Sequence, residues 1–345
     1  MLRQLILMSF SLMLLVAGPA AAQEAELTKE QEAEIFAVFL ADAKEGDAAA
    51  QYKVAVAYYT GRGVSKSDKI ESAFWLQKAA DQGHKQAISR LAWHYRNGVG
   101  VIQNLPQSEE LYKKAYTLGV VGSSVPLAAI YRSGEGTPVE EGGQGRVREN
   151  HTEAVRWALI AADAGIDRGQ NLMGELYRDG VGVPQDFAKA LEWFELSAEQ
   201  DFALAYFNAS KIYRDPELEG FSDTEKGIRY LKLAADKGHA GAMIDLALAY
   251  VEGTDVPQNY DLALEWYSKA AAKNRRSAVQ LAKAYESGLF GDPDPAHAYK
   301  WYYIARESGE VSGIVGALAT KDKISEPVRL SMEREGNKWL REITN

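Results

Sequence analysis

The stretch YRDGVGVPQDFAKALEWFELSAEQD, residues 177–201, occurs in varied form along most of the chain. Its first mark is a tyrosine, which is followed three residues later by glycine in every copy except the fifth. The seven tyrosines, which number the repeats 1 to 7, are Tyr58, Tyr95, Tyr131, Tyr177, Tyr213, Tyr250 and Tyr285. A bulky second mark follows each tyrosine at Trp75, Leu111, Trp157, Trp193, Tyr230, Trp266 and Trp301, and a glycine, aspartate or asparagine comes eight residues later. Three marks in register over seven copies indicate an internal repeat of about 36 residues.

Each copy has the pattern of a helix, a loop and a second helix. The residue four before each tyrosine is apolar and the residue three before it is small, so the two define one closely packed helical face. The second helix has small residues around its bulky mark, and the marked aromatic is expected to fill the gap left by small residues of a neighbouring helix. Glycines after both helices predict helix ends, and Asp186 and Asp261 are predicted N-caps. The chain is therefore predicted to be all-α.

This pattern resembles the Sel1-like repeat, a relative of the tetratricopeptide repeat. The resemblance rests on the turns YTGRGV (59–64), YRNGVGV (95–101) and YRDGVGV (177–183) and on second helices of the form AxxWxxxAAxxG. It implies a right-handed α-solenoid of about seven helix-loop-helix repeats over residues 48–309. Two copies depart from the pattern, at Leu111 and in the stretch YRDPELEG (213–220), which lacks the glycine turn.

The segments outside the repeats predict a targeting signal and two caps. Residues 1–22 combine Arg3, an apolar run and three alanines, which predicts a signal peptide cleaved before Gln23 and hence a periplasmic or secreted protein. An uncleaved membrane anchor is the alternative, but the run is shorter than the roughly 20 apolar residues that a spanning helix needs. Residues 23–47 are predicted to form an N-terminal capping helix. Residues 310–345 are predicted to form C-terminal capping helices, with Trp339 and Leu340 facing inward.

Composition and motifs argue against an enzyme. The chain has no cysteine, which excludes disulfides, thiolate metal sites and a cysteine nucleophile. Its net charge of −9 disfavours a nucleic-acid partner. The sequence contains no Ser-x-x-Lys, Gly-x-Ser-x-Gly or His-Glu-x-x-His motif, and its five histidines do not have metal-ligand spacing within a helix. His84 and His239 follow repeat-ending glycines and are predicted turn residues. We therefore predict no cofactor, no metal and no catalytic residue.

A variable surface on the first helices is the predicted binding site. The positions five and two residues before each tyrosine share a helical face and differ between repeats, and we call them the variable surface. The resemblance places this surface on the concave side of the array. The candidate partner-binding residues are Lys53, Arg90, Trp93, Glu175, Asn208, Lys211, Asp245, Gln280 and Lys283. Trp93 is either a binding anchor or a residue packed under the neighbouring turn.

The third repeat contains a second candidate. Its loop, residues 134–150, is about ten residues longer than the others and includes Arg146 and Arg148. A loop of this kind is either a contact loop or a mobile spacer.

These features predict a non-enzymatic scaffold or regulator in the bacterial envelope. It would bind a segment of another envelope or periplasmic protein along the variable surface. The alternative is binding or hydrolysis of peptidoglycan or another cell-wall glycan, for which Tyr302 and Tyr303 would stack on sugars.

Overall fold

The computed structural model describes residues 27–133 and 150–344, which contain seventeen α-helices and no β-strand. The predicted signal segment and the loop residues Arg146 and Arg148 lie outside the described residues. The described residues fall into two compact units, one of residues 27–120 and the other of residues 121–133 and 150–344. The chain is thus an all-α solenoid, as predicted.

The first unit holds the N-terminal helix and repeats 1 and 2. Its helices are α1 (Lys29–Lys44), α2 (Ala48–Thr60), α3 (Lys69–Asp81), α4 (Lys85–Asn97) and α5 (Leu105–Thr117). The first helices of its two repeats are α2 and α4, and the second helices are α3 and α5.

The second unit holds repeats 3 to 7 and the C-terminal helices. A short 3-10 turn, Val121–Ser123, precedes its first α-helix. Its first helices are α6 (Ser124–Ser133), α8 (Asp167–Asp179), α10 (Ala203–Tyr213), α12 (Ala240–Glu252) and α14 (Arg275–Glu286). Its second helices are α7 (His151–Asp163), α9 (Phe187–Ala198), α11 (Thr224–Asp236), α13 (Tyr260–Lys273) and α15 (Pro295–Glu307). They are followed by α16 (Val311–Thr320), a 3-10 turn (Lys321–Lys323) and α17 (Glu326–Thr344).

One hydrogen bond closes the loop of every repeat. The N-cap residue of each second helix donates its backbone N–H to the carbonyl oxygen of the marked tyrosine, at 2.8 to 2.9 Å. The donors are Asp68, Asn104, Asn150, Asp186, Asp223, Asn259 and Asp294. Asn150 makes this bond after the long third loop, so the extra residues leave the closure unchanged. The prediction of Asp186 as a cap is confirmed, whereas Asp261 is wrong because Asn259 caps α13.

Helix ends follow the glycine and histidine pattern. Gly61, Gly98, Gly180 and Gly253 end first helices with positive φ angles, the left-handed conformation that glycine adopts at least cost. The predicted turn residues His84 and His239 are N-caps, and each Nδ1 accepts a backbone N–H three residues later. In repeat 4 the position of the second glycine is held by Asp201, the only non-glycine residue with positive φ in the described chain.

Helix pairs meet at small residues. In repeat 4, a methyl carbon built on Gly174 of α8 would lie 2.6 Å from Cδ1 and Cε1 of Phe194 of α9, whose side chain is fully buried. Trp193, the marked aromatic, stays partly exposed. The prediction that the marked aromatic fills the gap is therefore wrong for repeat 4, where the next residue does so. Among the other marked tryptophans, Trp75, Trp157 and Trp301 are buried, whereas Trp266 is partly exposed.

The closing helix α17 packs on α15. Trp339 meets Trp301 edge to face at 5.1 Å, and Tyr299 donates a hydrogen bond to Glu333. Leu340 also packs against this core. Among the described helices, none is both long and apolar enough to cross a membrane.

Candidate functional site

The variable surface has a different environment in each repeat. Lys53, Lys211, Gln280 and Lys283 are exposed to solvent. Arg90, Glu175 and Asp245 are half-buried, and Asn208 is buried. Trp93 keeps 37% of its surface exposed. The predicted residues are therefore not equivalent. Lys53 lies over the Phe39 ring at 4.3 Å, and the other eight residues lie in three local environments.

The first environment is an aromatic cluster around Trp93. The Trp93 ring lies edge to face against Tyr59 of the preceding repeat, with the ring centroids 5.8 Å apart. It also contacts the ring of His94 at 5.5 Å. One edge of the Trp93 indole therefore packs on its neighbours, and the rest of the ring is open to solvent.

Two cations lie beside the same tyrosine. The guanidinium carbon of Arg90 is 4.8 Å from the centroid of the Tyr59 ring, and Lys69 Nζ is 3.8 Å from it. Lys69 also donates a hydrogen bond to the Tyr59 carbonyl oxygen. Cations over an aromatic face are attracted by the ring quadrupole. Within the described residues, no carboxylate forms an ion pair with Arg90 or Lys69, so the cluster is positively charged.

His94 packs against two aromatic rings of this cluster. It is fully buried, and its Nδ1 lies 2.7 Å from the carbonyl oxygen of Val99. Burial lowers the pKa of His94, and the charges of Arg90 and Lys69 lower it further, against the effect of the Val99 hydrogen bond. The neutral ring therefore donates Nδ1–H, since a carbonyl oxygen only accepts. The His94 ring contacts both Trp93 and Tyr59, with ring centroids 5.5 and 5.6 Å apart.

The second environment is a polar network that joins repeats 3, 4 and 5. Arg132 of α6 pairs with Glu175 and with Asp179 of α8. Asn171 donates to Glu175 at 2.9 Å, and Asn208 of α10 donates to Asn171 at 3.0 Å and to Glu175 at 3.4 Å. Glu175 and Asn208 therefore hold first helices together, a role that their spacing in the sequence did not predict.

The network also lowers the pKa of one of its carboxyl groups, that of Asp179. Arg178 donates to Asp179 at 2.7 Å and to Asn208 at 3.3 Å. The hydrogen bond from Arg178, with the added charge of Arg132, holds the pKa of Asp179 below its ordinary value. Buried polar groups with all their partners present make the helix arrangement specific.

One sequence pattern, an arginine directly after the marked tyrosine, indicates this network. The residue after the marked tyrosine is arginine in repeats 2 to 5, at Arg96, Arg132, Arg178 and Arg214. Repeat 1 has Tyr59 at this position instead, which is the residue beneath Trp93. Arg132, Arg178 and Arg214 each reach the following repeat, where Arg214 pairs with Asp255 at 2.7 Å.

The third environment lies in repeats 5 to 7. Lys211 lies over the Phe207 ring at 4.4 Å. Burial raises the pKa of Asp245, although the charges of Lys211 and Arg214 oppose the change. Gln280 and Lys283 are exposed on the next first helix, α14. This part of the variable surface carries both signs of charge and has no exposed aromatic side chain at its predicted positions.

The two tyrosines predicted to stack on sugars are buried. Tyr302 and Tyr303 are 4% and 7% exposed, and their hydroxyls hydrogen-bond with Glu286 and Asn337. The described residues contain no group of three or more side chains that could hold a metal ion. A shallow charged depression lies along α11, but one helix alone supplies its lining.

Comparison with known proteins identifies the repeat. The sequence matches the Sel1 repeat over residues 48–84, 85–120, 127–166, 167–202, 203–239, 240–274 and 276–310, which together make up most of the chain. The chain belongs to the Sel1-repeat family. The Sel1 boundaries agree with the repeats defined by the seven tyrosines, and Sel1-repeat proteins generally mediate protein–protein interactions.

Solved and curated Sel1-repeat proteins resemble this chain. A crystal structure of a Sel1 repeat protein from Oxalobacter formigenes has a TM-score of 0.61 and 25% identity, and the match covers 87% of this chain and 83% of that one. The Sel1-repeat-containing protein YjcO of Escherichia coli is 29% identical over 58% of this chain and 83% of its own length. A chitin synthase regulator of Saccharomyces cerevisiae is 27% identical over 43% of this chain, but the match spans only 27% of that regulator.

Proposed function

We propose that this protein is a non-enzymatic interaction scaffold of the bacterial envelope. It binds an acidic segment of another envelope protein on the first-helix surface around Trp93. The observation that carries the proposal is the open indole of Trp93 beside Arg90 and Tyr59. The predicted signal segment supports the location, and the family supports the class of function.

The chemistry of the Trp93 cluster suits a peptide ligand. Tryptophan and arginine are the residues most enriched among side chains that dominate interface binding energy. Arg90 and Lys69 supply positive charge next to an apolar surface, so they favour a carboxylate flanked by an apolar side chain. The rest of the chain is acidic overall, and this local charge therefore distinguishes the cluster from its surroundings.

A cross-linking pull-down from intact envelopes tests the proposal. The mature chain is compared with a Trp93→Ala, Arg90→Glu variant, and we expect the variant to lose the captured protein. Lys78→Glu is the matched control, because Lys78 is an exposed lysine on the second helix of repeat 1. Circular dichroism must show equal helix content in all three chains.

Three results would contradict the proposal. Equal capture by the variant and the wild type would move the site away from Trp93. If capture is lost in Lys211→Glu but kept in the Trp93→Ala, Arg90→Glu variant, the partner binds on repeats 5 to 7 instead. If only cell-wall fragments are captured, the partner is a glycan and the proposed class of ligand is wrong.

A further inference from the structure

The helix α16 carries an apolar stripe that no part of the described chain covers. Val311, Ile314, Val315 and Leu318 are 69%, 41%, 63% and 56% exposed. Their spacing of three, one and three residues places them on one face of the helix. Monomeric proteins rarely leave contiguous apolar patches of this kind open to water.

The repeat pattern explains why this face is open. Aligned by its preceding glycine, Gly309, α16 corresponds to the first helix of an eighth unit. The residue three before the marked tyrosine is small and buried in all seven repeats, because the second helix of the same repeat packs on it. In α16 the equivalent residue is Leu318, which is large and exposed.

The following helix does not fill the place of a second helix. Instead of covering Leu318, α17 turns back onto α15, where Glu333 and Trp339 meet Tyr299 and Trp301. The other side of α16 is occupied, because Gly313 and Gly316 press against Ala305 and Tyr302 of α15. The stripe therefore points away from the core of its own unit.

We propose that the α16 face is a self-association surface, on which α16 of a second copy lies antiparallel to the first. This inference goes beyond the proposed partner binding and does not depend on it. A two-fold axis between Ile314 and Val315 brings Val311 of one copy against Leu318 of the other. The same patch then serves both copies, as a closed dimer requires.

The charges at the ends of the stripe fit this orientation. Glu310 is the N-cap residue of α16 and Lys321 is its C-cap residue. With the axis at the centre of the stripe, Glu310 lies opposite residue 319 of the second copy. Lys321 is two residues further, about 3 Å along the helix, which is within reach of its side chain. A parallel arrangement would instead set like charges against each other.

Sedimentation velocity over a concentration series tests this. The wild-type chain is expected to reach twice the mass of one chain as its concentration rises. Val315→Glu together with Leu318→Glu should weaken dimerisation at least tenfold. Ile102→Glu is the matched control, since Ile102 is an exposed apolar residue (79%) elsewhere on the surface and its replacement should leave the equilibrium unchanged.

Charge reversal tests the orientation. Glu310→Lys alone and Lys321→Glu alone should each weaken the dimer, and the double variant should restore it, because each reversed charge meets its reversed counterpart in the second copy. The proposal is overturned if the wild type is monomeric at all concentrations. This includes the case in which the wild type captures a different protein in envelope cross-linking and the α16 variants lose it. A dimer unaffected by the stripe variants, or a series of growing oligomers, overturns it as well.

Discussion

Replacing Gly174 with alanine should destabilise the fourth repeat, although alanine is the better helix former. Helix propensity alone would favour alanine by about 1 kcal/mol. The new methyl group would lie 2.6 Å from two ring carbons of Phe194, which is 0% exposed and cannot move into solvent. Overpacking of a closed core costs about 1–3 kcal/mol. The difference is a net loss of up to about 2 kcal/mol in the free energy of unfolding.

A second substitution should relieve the clash. Phe194→Leu alone removes part of a fully buried ring and should cost about 1–2 kcal/mol. Repeat 1 carries Ala55 and Leu76 at the equivalent positions, and both are fully buried. Gly174→Ala combined with Phe194→Leu therefore recreates a pairing that the chain already uses. The double variant should be more stable than the sum of the single changes by about 1–2 kcal/mol.

Urea unfolding followed by circular dichroism measures these differences. Hydrogen exchange of peptides from residues 167–198 localises them, because repeat arrays do not always unfold in one step. The reasoning is refuted if Gly174→Ala alone raises stability by about 1 kcal/mol, since α8 and α9 would then have room for the methyl group. Strict additivity of the two changes would show that Gly174 and Phe194 do not interact.

Three further changes test other features of the fold. Asp201→Gly should stabilise the chain by about 0.5–1 kcal/mol in urea unfolding, because it removes a left-handed aspartate, unless the exposed pair with Lys237 contributes as much. Burial, with the charges of nearby carboxylates, raises the pKa of Tyr267 to about 12. The unfolded chain therefore loses this proton first, and the free energy of unfolding should fall between pH 10 and pH 12. In Tyr267→Phe, the urea midpoint should fall less steeply over this pH range. Arg132→Ala should cost about 1–3 kcal/mol, because it leaves the half-buried Glu175 without its cation, and Glu175→Gln in the same chain should recover part of that loss in thermal melts.

Spacing in the sequence predicted the helix-loop-helix repeats, and the resemblance to Sel1-like repeats implied the solenoid. The prediction failed where a choice depended on neighbours in space. The marked tyrosines and the bulky second marks define every repeat, because each copy places its packed residues at the same positions. The cap of α13 was misplaced because Asn259 and Asp261 are both good capping residues. The hydrogen bond from the Asn259 backbone to Tyr250 decides between them, and no local pattern contains it.

The candidate site was predicted in part. Helical spacing placed Arg90 and Trp93 on one face, and the structure adds Tyr59 from the preceding repeat. The same spacing selected Glu175 and Asn208, whose side chains bond to each other across a repeat boundary. Spacing within one helix tells which residues share a face, but it does not tell whether the next helix brings a partner within reach.

The polar network of repeats 3 to 5 restricts which repeats could be duplicated or deleted. In an array of identical modules, loss of one copy leaves a neighbour of the same kind on each side. Here, deletion of repeat 4 would place Arg132 beside Asn208 and remove both carboxylates that it binds. Loss or exchange of a central repeat would therefore break bonds that hold its neighbours, even though each repeat looks like a copy of the others.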